Sequence, residues 1–160
     1  MPKAWADLVR WYAFALAVVV IDQASKLAVT KFMLPGREIL VTPFFNLVLA
    51  HNTGAAFSLL AGAGGWQRGF FIVVAAIAAV VIGVLLARHR EEPRYCLALA
   101  GILGGALGNL LDRLRLGYVV DFLDFHVAGW HWPAFNVADM AITGGAALLI
   151  WDSLARGRAR

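Results

Sequence analysis

Apolar positions dominate four stretches of this chain, and polar positions gather near their ends. Trp11–Val29 is apolar in its first half and carries Asp22, Gln23, Ser25 and Lys26 in its second. Phe70–Ala87 runs 18 residues without a charge. Tyr95–Leu111 runs 17 residues without a charge and is rich in glycine and alanine. The fourth stretch, about Phe135–Trp151, has Asp139 near its start. A hydrocarbon core of about 30 Å takes about 20 helical residues to cross. The pattern therefore predicts four transmembrane helices, because lipid offers no partner to an unpaired backbone group.

The linker of residues 30–69 reads differently. Its stretch Glu38–Ser58 holds Ile-Leu-Val-Thr and Phe-Phe-Asn-Leu-Val-Leu, punctuated by Pro43 and Gly54. Such runs read as short strands. The expected fold is an all-α membrane protein with a small β-rich platform (about 38–58) on one face, working as a single membrane domain over 1–160. Ala61–Gly65 reads as a flexible connector, and 112–134 as an outward loop.

Composition agrees with the pattern. Apolar residues make up 61% of the chain and charged residues 15%, against about 45–50% and about 25% in soluble proteins. The net charge of +4 does not point to nucleic acid, because the basic residues flank apolar runs instead of forming a phosphate-binding face. Lys3 and Arg10, the linker Arg-His-Arg-Glu-Glu-Pro-Arg (88–94), and the tail with Arg156, Arg158 and Arg160 all fall on one side of a four-span topology. The positive-inside rule makes that side, and both termini, cytoplasmic. Lys3, Arg10 and the apolar Trp11–Ile21 resemble a signal-peptide core. No small-residue cleavage site follows, so the segment reads as a retained helix. The lone Cys96 excludes an internal disulfide framework and reads as a small buried residue. The tryptophans read mostly as interface anchors. Gly101, Gly104, Gly105 and Gly108 read as a close-packing helix face.

The ionisable residues are not scattered. Asp22 and Lys26, Asn109 with Asp112 and Arg113, Asn136 with Asp139, and the loop acids Asp121 and Asp124 converge on the outer edge of the bilayer. Ionisable groups in spans are costly and mark function by default. Asp22 and Lys26 share a helix face, as do Asn109 and Arg113, and Asn136 and Asp139. Asp121 lies close enough in sequence to fold back on Asp139. Two facing carboxylates do not readily both ionise. One can then take a proton from water while the other donates to a carbonyl oxygen, which is hydrolysis by acid–base catalysis. Arg113 and Lys26 would favour the charged form. The competing readings are solvated loop acids for Asp121 and Asp124, and a structural salt bridge between Asp139 and Arg113. Asp22 and Lys26 read as a pair that orders the site, and Asn109 and Asn136 as hydrogen-bonding supports.

Other chemistries fit less well. His126-x4-His131 matches no helical metal-ligand pair, so no metal and no cofactor is expected. Ser25 and Lys26 are adjacent on a helix and point about 100° apart, which disfavours a Ser–Lys dyad. A proton relay through Asp22, Lys26 and Asp139 would need polar groups through the inner half of the bilayer, and the spans offer almost none there.

Five stretches together carry a resemblance. They are Asp-Gln-Ala-Ser-Lys (22–26), His-Asn-Thr-Gly-Ala-Ala-Phe-Ser (51–58), Gly-Asn-Leu-Leu-Asp-Arg (108–113), Val-Val-Asp-Phe (119–122) and Phe-Asn-Val-Ala-Asp (135–139). In this order the chain resembles bacterial lipoprotein signal peptidases, the signal peptidase II family. The resemblance implies an aspartic peptidase of the bacterial inner membrane with its site toward the periplasmic face. It implies a diacylglyceryl-modified prolipoprotein as substrate, cut just before the modified cysteine. The family's catalytic aspartates fall on Asp121 and Asp139. Its site-ordering or substrate-binding residues fall on Asp22, Lys26, Asn52, Gly54, Asn109, Arg113 and Asn136. Asp124 falls outside the motif and stays a loop acid. The expected partners are the substrate and membrane lipids, with no nucleic acid and the chain a monomer.

Overall fold

The structure, a computed structural model, describes residues 3–34, 36–54 and 64–157. Among these residues four helices and four strands follow one another as α1 (Lys3–Phe32), β1 (Glu38–Thr42), β2 (Phe45–Asn52), α2 (Trp66–Arg88), α3 (Pro93–Arg115), β3 (Val119–Val127), β4 (Trp130–His131) and α4 (Val137–Gly157). Each helix is long and apolar enough to cross a membrane. Each also reaches past the apolar stretch that announced it, because its flanking polar turns continue the same hydrogen-bond ladder. The connector expected at Ala61–Gly65 lies, up to residue 63, outside the described residues, as does the 55–58 part of the second motif.

Helix α3 is the axis of the bundle. Over half of its apolar window is buried, against under a fifth in the other three helices. The reason is its glycines. A Cβ on Gly104 would stand 2.6 Å from the Ala15 carbonyl oxygen of α1. One on Gly105 would collide with the Ala138 carbonyl oxygen of α4. Small residues here let three backbones approach, which is how helices associate without a hydrophobic driving force. The opposite faces stay apolar and exposed, as with Val73, Ile77, Val80 and Val84 along α2. Lipid is the natural solvent for such a stripe.

The strands form one antiparallel sheet in the order β1-β2-β3-β4. It lies at the end of the bundle where α1 and α3 finish and α4 begins. Here the fold departs from the sequence reading, which confined strands to 38–58. Residues 119–127 form the long strand β3, pairing Phe45 with Phe125 and Asn52 with Val119. Their partner lies some 70 residues earlier, and strand formation depends on such context more than on local propensity. Asp121 and Asp124 are therefore strand residues, not loop residues. β3 turns into β4 through Ala128 and Gly129, both with positive φ, the backbone that a tight hairpin needs.

The other end of the bundle is tied by charges. Arg156 donates to Glu92 and pairs with Asp152 at 2.7 Å. Cys96 is fully buried there, its thiol on the His89 carbonyl at 3.0 Å. Trp11 departs from the expected interface role: it is 6% exposed in the α1–α2–α3 core and donates to the Arg90 carbonyl. Trp5, Trp66, Trp130, Trp132 and Trp151 are exposed.

Candidate active site

The site starts from one ammonium group. Lys26 lies one turn beyond Asp22 on α1, and its Nζ is 2.8 Å from Asp22 Oδ2. The same Nζ is 2.9 Å from Asp112 Oδ2 and donates to Asn109 Oδ1 at 2.9 Å, both on α3. A lysine has three N–H donors, and here three acceptors take them. Asp22 is fully buried and Lys26 is 3% exposed. Such a charge is tolerable away from water only when paired and hydrogen-bonded. The second oxygen of Asp22 accepts the backbone N–H of Ala138 at 2.9 Å. It thus satisfies one of the open donors in the first turn of α4.

Asn109 relays this arrangement to α4. Its Nδ2 donates to Asp139 Oδ1 at 2.9 Å. Asn136 stands just before the helix and caps it, its Oδ1 accepting the Asp139 N–H at 2.9 Å. The backbone N–H of Asn136 returns to Asp139 Oδ2 at 3.3 Å, a reciprocal capping box. The Asn136 side chain faces the sheet and donates to Asp121 Oδ1 at 2.6 Å and to the Val120 carbonyl at 3.2 Å.

Asp121 is held from its other side by β2. Its Oδ2 accepts Asn52 Nδ2 at 3.0 Å. Asn52 Oδ1 in turn accepts the Gly54 N–H at 2.9 Å, and the Gly54 carbonyl accepts the Arg113 guanidinium at 2.7 Å. Arg113 also lies over the Phe71 ring, 5.0 Å from its centre. All the residues singled out from sequence, Asp22, Lys26, Asn52, Gly54, Asn109, Arg113, Asp121, Asn136 and Asp139, therefore belong to one connected network.

The electrostatics separate Asp121 from an ordinary surface acid. Burial away from water, and then the neighbouring charge of Asp139, push its carboxyl up to about 7. The hydrogen bonds from Asn52 and Asn136 and the charge of Lys26 pull the other way without overcoming that burial. A carboxyl that keeps its proton near neutrality beside a second carboxylate can donate while its neighbour accepts.

One sequence expectation changes and one competing reading falls away. Asp124 is not a solvated loop acid. It is 5% exposed, accepts Asn46 Nδ2 at 3.1 Å and pairs with His131 Nδ1 at 2.9 Å. It lies three residues from Asp121 on a strand, hence on the opposite face. His126, stacked on His131, reaches Asn46 at 3.2 Å. This second network braces the sheet apart from the first. Among the described residues Arg113 makes no salt bridge to Asp139, because Gly54 and Phe71 occupy it. Sequence reasoning placed Asp112 among the converging groups but gave neither it nor Gln23 a role in the site. Asp112 is three residues from Asn109, so it shares the same helix face, and that spacing was the available signal.

Comparisons with known proteins place the chain in a family. A family model described as signal peptidase (SPase) II matches residues 14–155. The lipoprotein signal peptidase of Paraburkholderia phymatum is 55% identical over 155 residues, covering 97% of this chain and 93% of that protein. That of Paraburkholderia phytofirmans is 56% identical over 152 residues, covering 95% and 88%. A bacterial membrane enzyme solved by the in meso method at 2.3 Å superposes with a TM-score of 0.86 at 30% identity, covering 94% of this chain and 91% of that one. With four membrane-capable helices and these likenesses, the chain is a multi-pass bacterial membrane peptidase and belongs to the signal peptidase II family.

Proposed function

We propose that this chain removes the signal peptide from prolipoproteins, cutting just before the diacylglyceryl-modified cysteine, with Asp121 and Asp139 as the catalytic pair. The observation that carries the reading is that one buried residue, Asn136, contacts both carboxylates, its side chain donating to Asp121 Oδ1 and its backbone N–H donating to Asp139 Oδ2. A merely structural acid would not need such matched orientation.

In this reading Asp121 holds the proton and Asp139 is the base. Asp139 sits in the first turn of α4, where the helix dipole favours a negative charge. It takes a proton from a water molecule, whose oxygen bonds to the scissile carbonyl carbon. Asp121 gives its proton to the carbonyl oxygen, leaving a neutral tetrahedral diol. Asp139 then passes its proton to the cysteine nitrogen, the C–N bond breaks, and Asp121 recovers its proton as the carbonyl re-forms. Asn52 and Asn136 hold Asp121 in place, and Asn109 holds Asp139. Arg113 anchors Gly54 and hence Asn52. Lys26 and Asp22 set the helices in register.

The basic residues Arg88, Arg90, Arg94 and Arg156 lie at the end of the bundle away from the sheet. The positive-inside rule supports a cytoplasmic location for that end and both termini. The pair would then lie at the periplasmic edge of the inner membrane, level with a cysteine whose acyl chains dip among the lipids. The chain works as one membrane domain and as a monomer.

The test is incubation of the purified protein in detergent with a lipidated precursor peptide, read by product mass. Cleavage just before the modified cysteine, unaffected by a chelator, is expected. Equal cleavage of the unlipidated peptide, or cleavage at another bond, would overturn the substrate assignment.

A further inference from the structure

Among the described residues, Asp112 is the buried acid paired with Lys26 to which the reaction above gives no task. It is 3% exposed and completely satisfied. Its Oδ1 accepts Gln23 Nε2 at 2.8 Å. Its Oδ2 accepts Lys26 Nζ at 2.9 Å and the backbone N–H of Val120 at 3.1 Å. Val120 immediately precedes Asp121. The main chain of Asp112 does a second job, accepting the Leu116 N–H at 2.7 Å where α3 ends. One residue therefore holds both sides of the turn that joins α3 to β3, a turn that passes through Gly117 at φ +88°.

Lys26 thus has two arms. Through Asn109 it reaches Asp139. Through Asp112 it reaches the backbone beside Asp121. The arms meet at Asn136, which contacts Asn109 on one and both Val120 and Asp121 on the other.

We propose that Asp112, supported by Gln23, is a positioning residue that fixes the strand bearing Asp121 at the distance and angle from Asp139 that the reaction needs. This rests on the assignment of those two aspartates as the catalytic pair. Asp112 touches no substrate in this scheme. It acts on the pair through Val120, so its loss lowers turnover and leaves substrate binding alone. Displacement of a reacting group by about 1 Å can cost about a hundredfold in rate.

The experiment measures kcat and KM for a lipidated precursor peptide, per folded protein, in Asp112→Asn, Gln23→Leu and Asp121→Asn. Asp112→Asn is expected to lose about a hundredfold in kcat at unchanged KM. Gln23→Leu, which removes a support and no charge, is expected to lose about tenfold with the same split. A role in folding alone would lower the yield and melting temperature while the folded fraction kept the parent kcat, and that result would overturn the inference. If Asp112→Asn does not fold, Gln23→Leu decides: parent kcat in it sinks the proposal. Activity retained in Asp121→Asn would remove the catalytic pair and this inference with it. Activity lost there but kept in the other two would remove this inference alone.

Discussion

Asn136 and Asp139 cap each other across the first turn of α4, the Asp139 N–H donating to Asn136 Oδ1 at 2.9 Å and the Asn136 N–H donating to Asp139 Oδ2 at 3.3 Å. The carboxylate is thereby aimed by the start of the helix itself. An asparagine at 139 keeps the shape and one acceptor oxygen but cannot serve as a base. Asp139→Asn and Asp121→Asn are each expected to lose about a thousandfold in kcat, the scale of a missing acid or base. Circular dichroism should show the same helix content as the parent. Full activity in either variant would exclude it from the reaction.

The raised carboxyl of Asp121 makes two pH predictions with one sign. Its value moves from an ordinary 3.8 to about 7 in the folded protein. Below about pH 4 both folded and unfolded chains hold the proton, and its stabilising contribution is complete. Between about 4 and 7 the unfolded chain releases it and the folded one does not, so stability falls as pH rises. Melting temperatures in detergent should decline over that window, and Asp121→Asn should flatten the decline. Because Asp121 is the proton donor in the proposed reaction, kcat/KM should also fall as pH rises through about 7. A rate still climbing at pH 8 would assign the proton elsewhere.

Much of this site was visible in the residue order, for reasons of locality. Asp22 and Lys26 announce their pairing because four residues make one helical turn. Asp139 stands out because an acid in an apolar span has little structural excuse. What stayed hidden depends on distant partners. Gln23 meets Asp112 across 89 positions, and Asn46 meets Asp124 across 78. Asp124 looked like a solvated loop acid because its burial exists only once β3 pairs with β2. Spans and motifs are properties of short windows, whereas strand registers and buried charge networks are properties of the assembled fold.

The Lys26 junction should be sensitive to loss of its cation. Lys26→Met leaves Asp22 and Asp112 buried without their shared partner. Removing one side of a buried ion pair costs about 3–5 kcal/mol. A large drop in melting temperature is expected, and Asp22→Ala should destabilise in the same direction while freeing the Ala138 N–H. The Asp7–Arg10 pair, at 3.4 Å and with the arginine exposed, is the control: Asp7→Asn should shift stability by less than about 1 kcal/mol. Equal melts for Lys26→Met and the control would refute the junction's structural importance.

Close approach of α3 and α4 makes a steric prediction. A methyl at Gly105 would collide with the Ala138 carbonyl oxygen and stand 2.7 Å from Ile142 Cγ1. Gly105→Ala is expected to cost about 1–3 kcal/mol through overpacking. Gly144→Ala, on the neighbouring helix, meets nothing within 4 Å and should leave the melting temperature unchanged or raise it. If both variants melt alike, the helices are less tightly apposed than described.

The bond from Ala138 to Asp22 joins positions 116 residues apart. Asp22 belongs to α1, which leaves the ribosome well before α4, the helix of Ala138. The acceptor waits in the bilayer through most of translation before its donor arrives. A nascent chain that has inserted only α1 to α3 therefore lacks this bond and, in the proposed reaction, the base on α4, so competence waits for the emergence of α4.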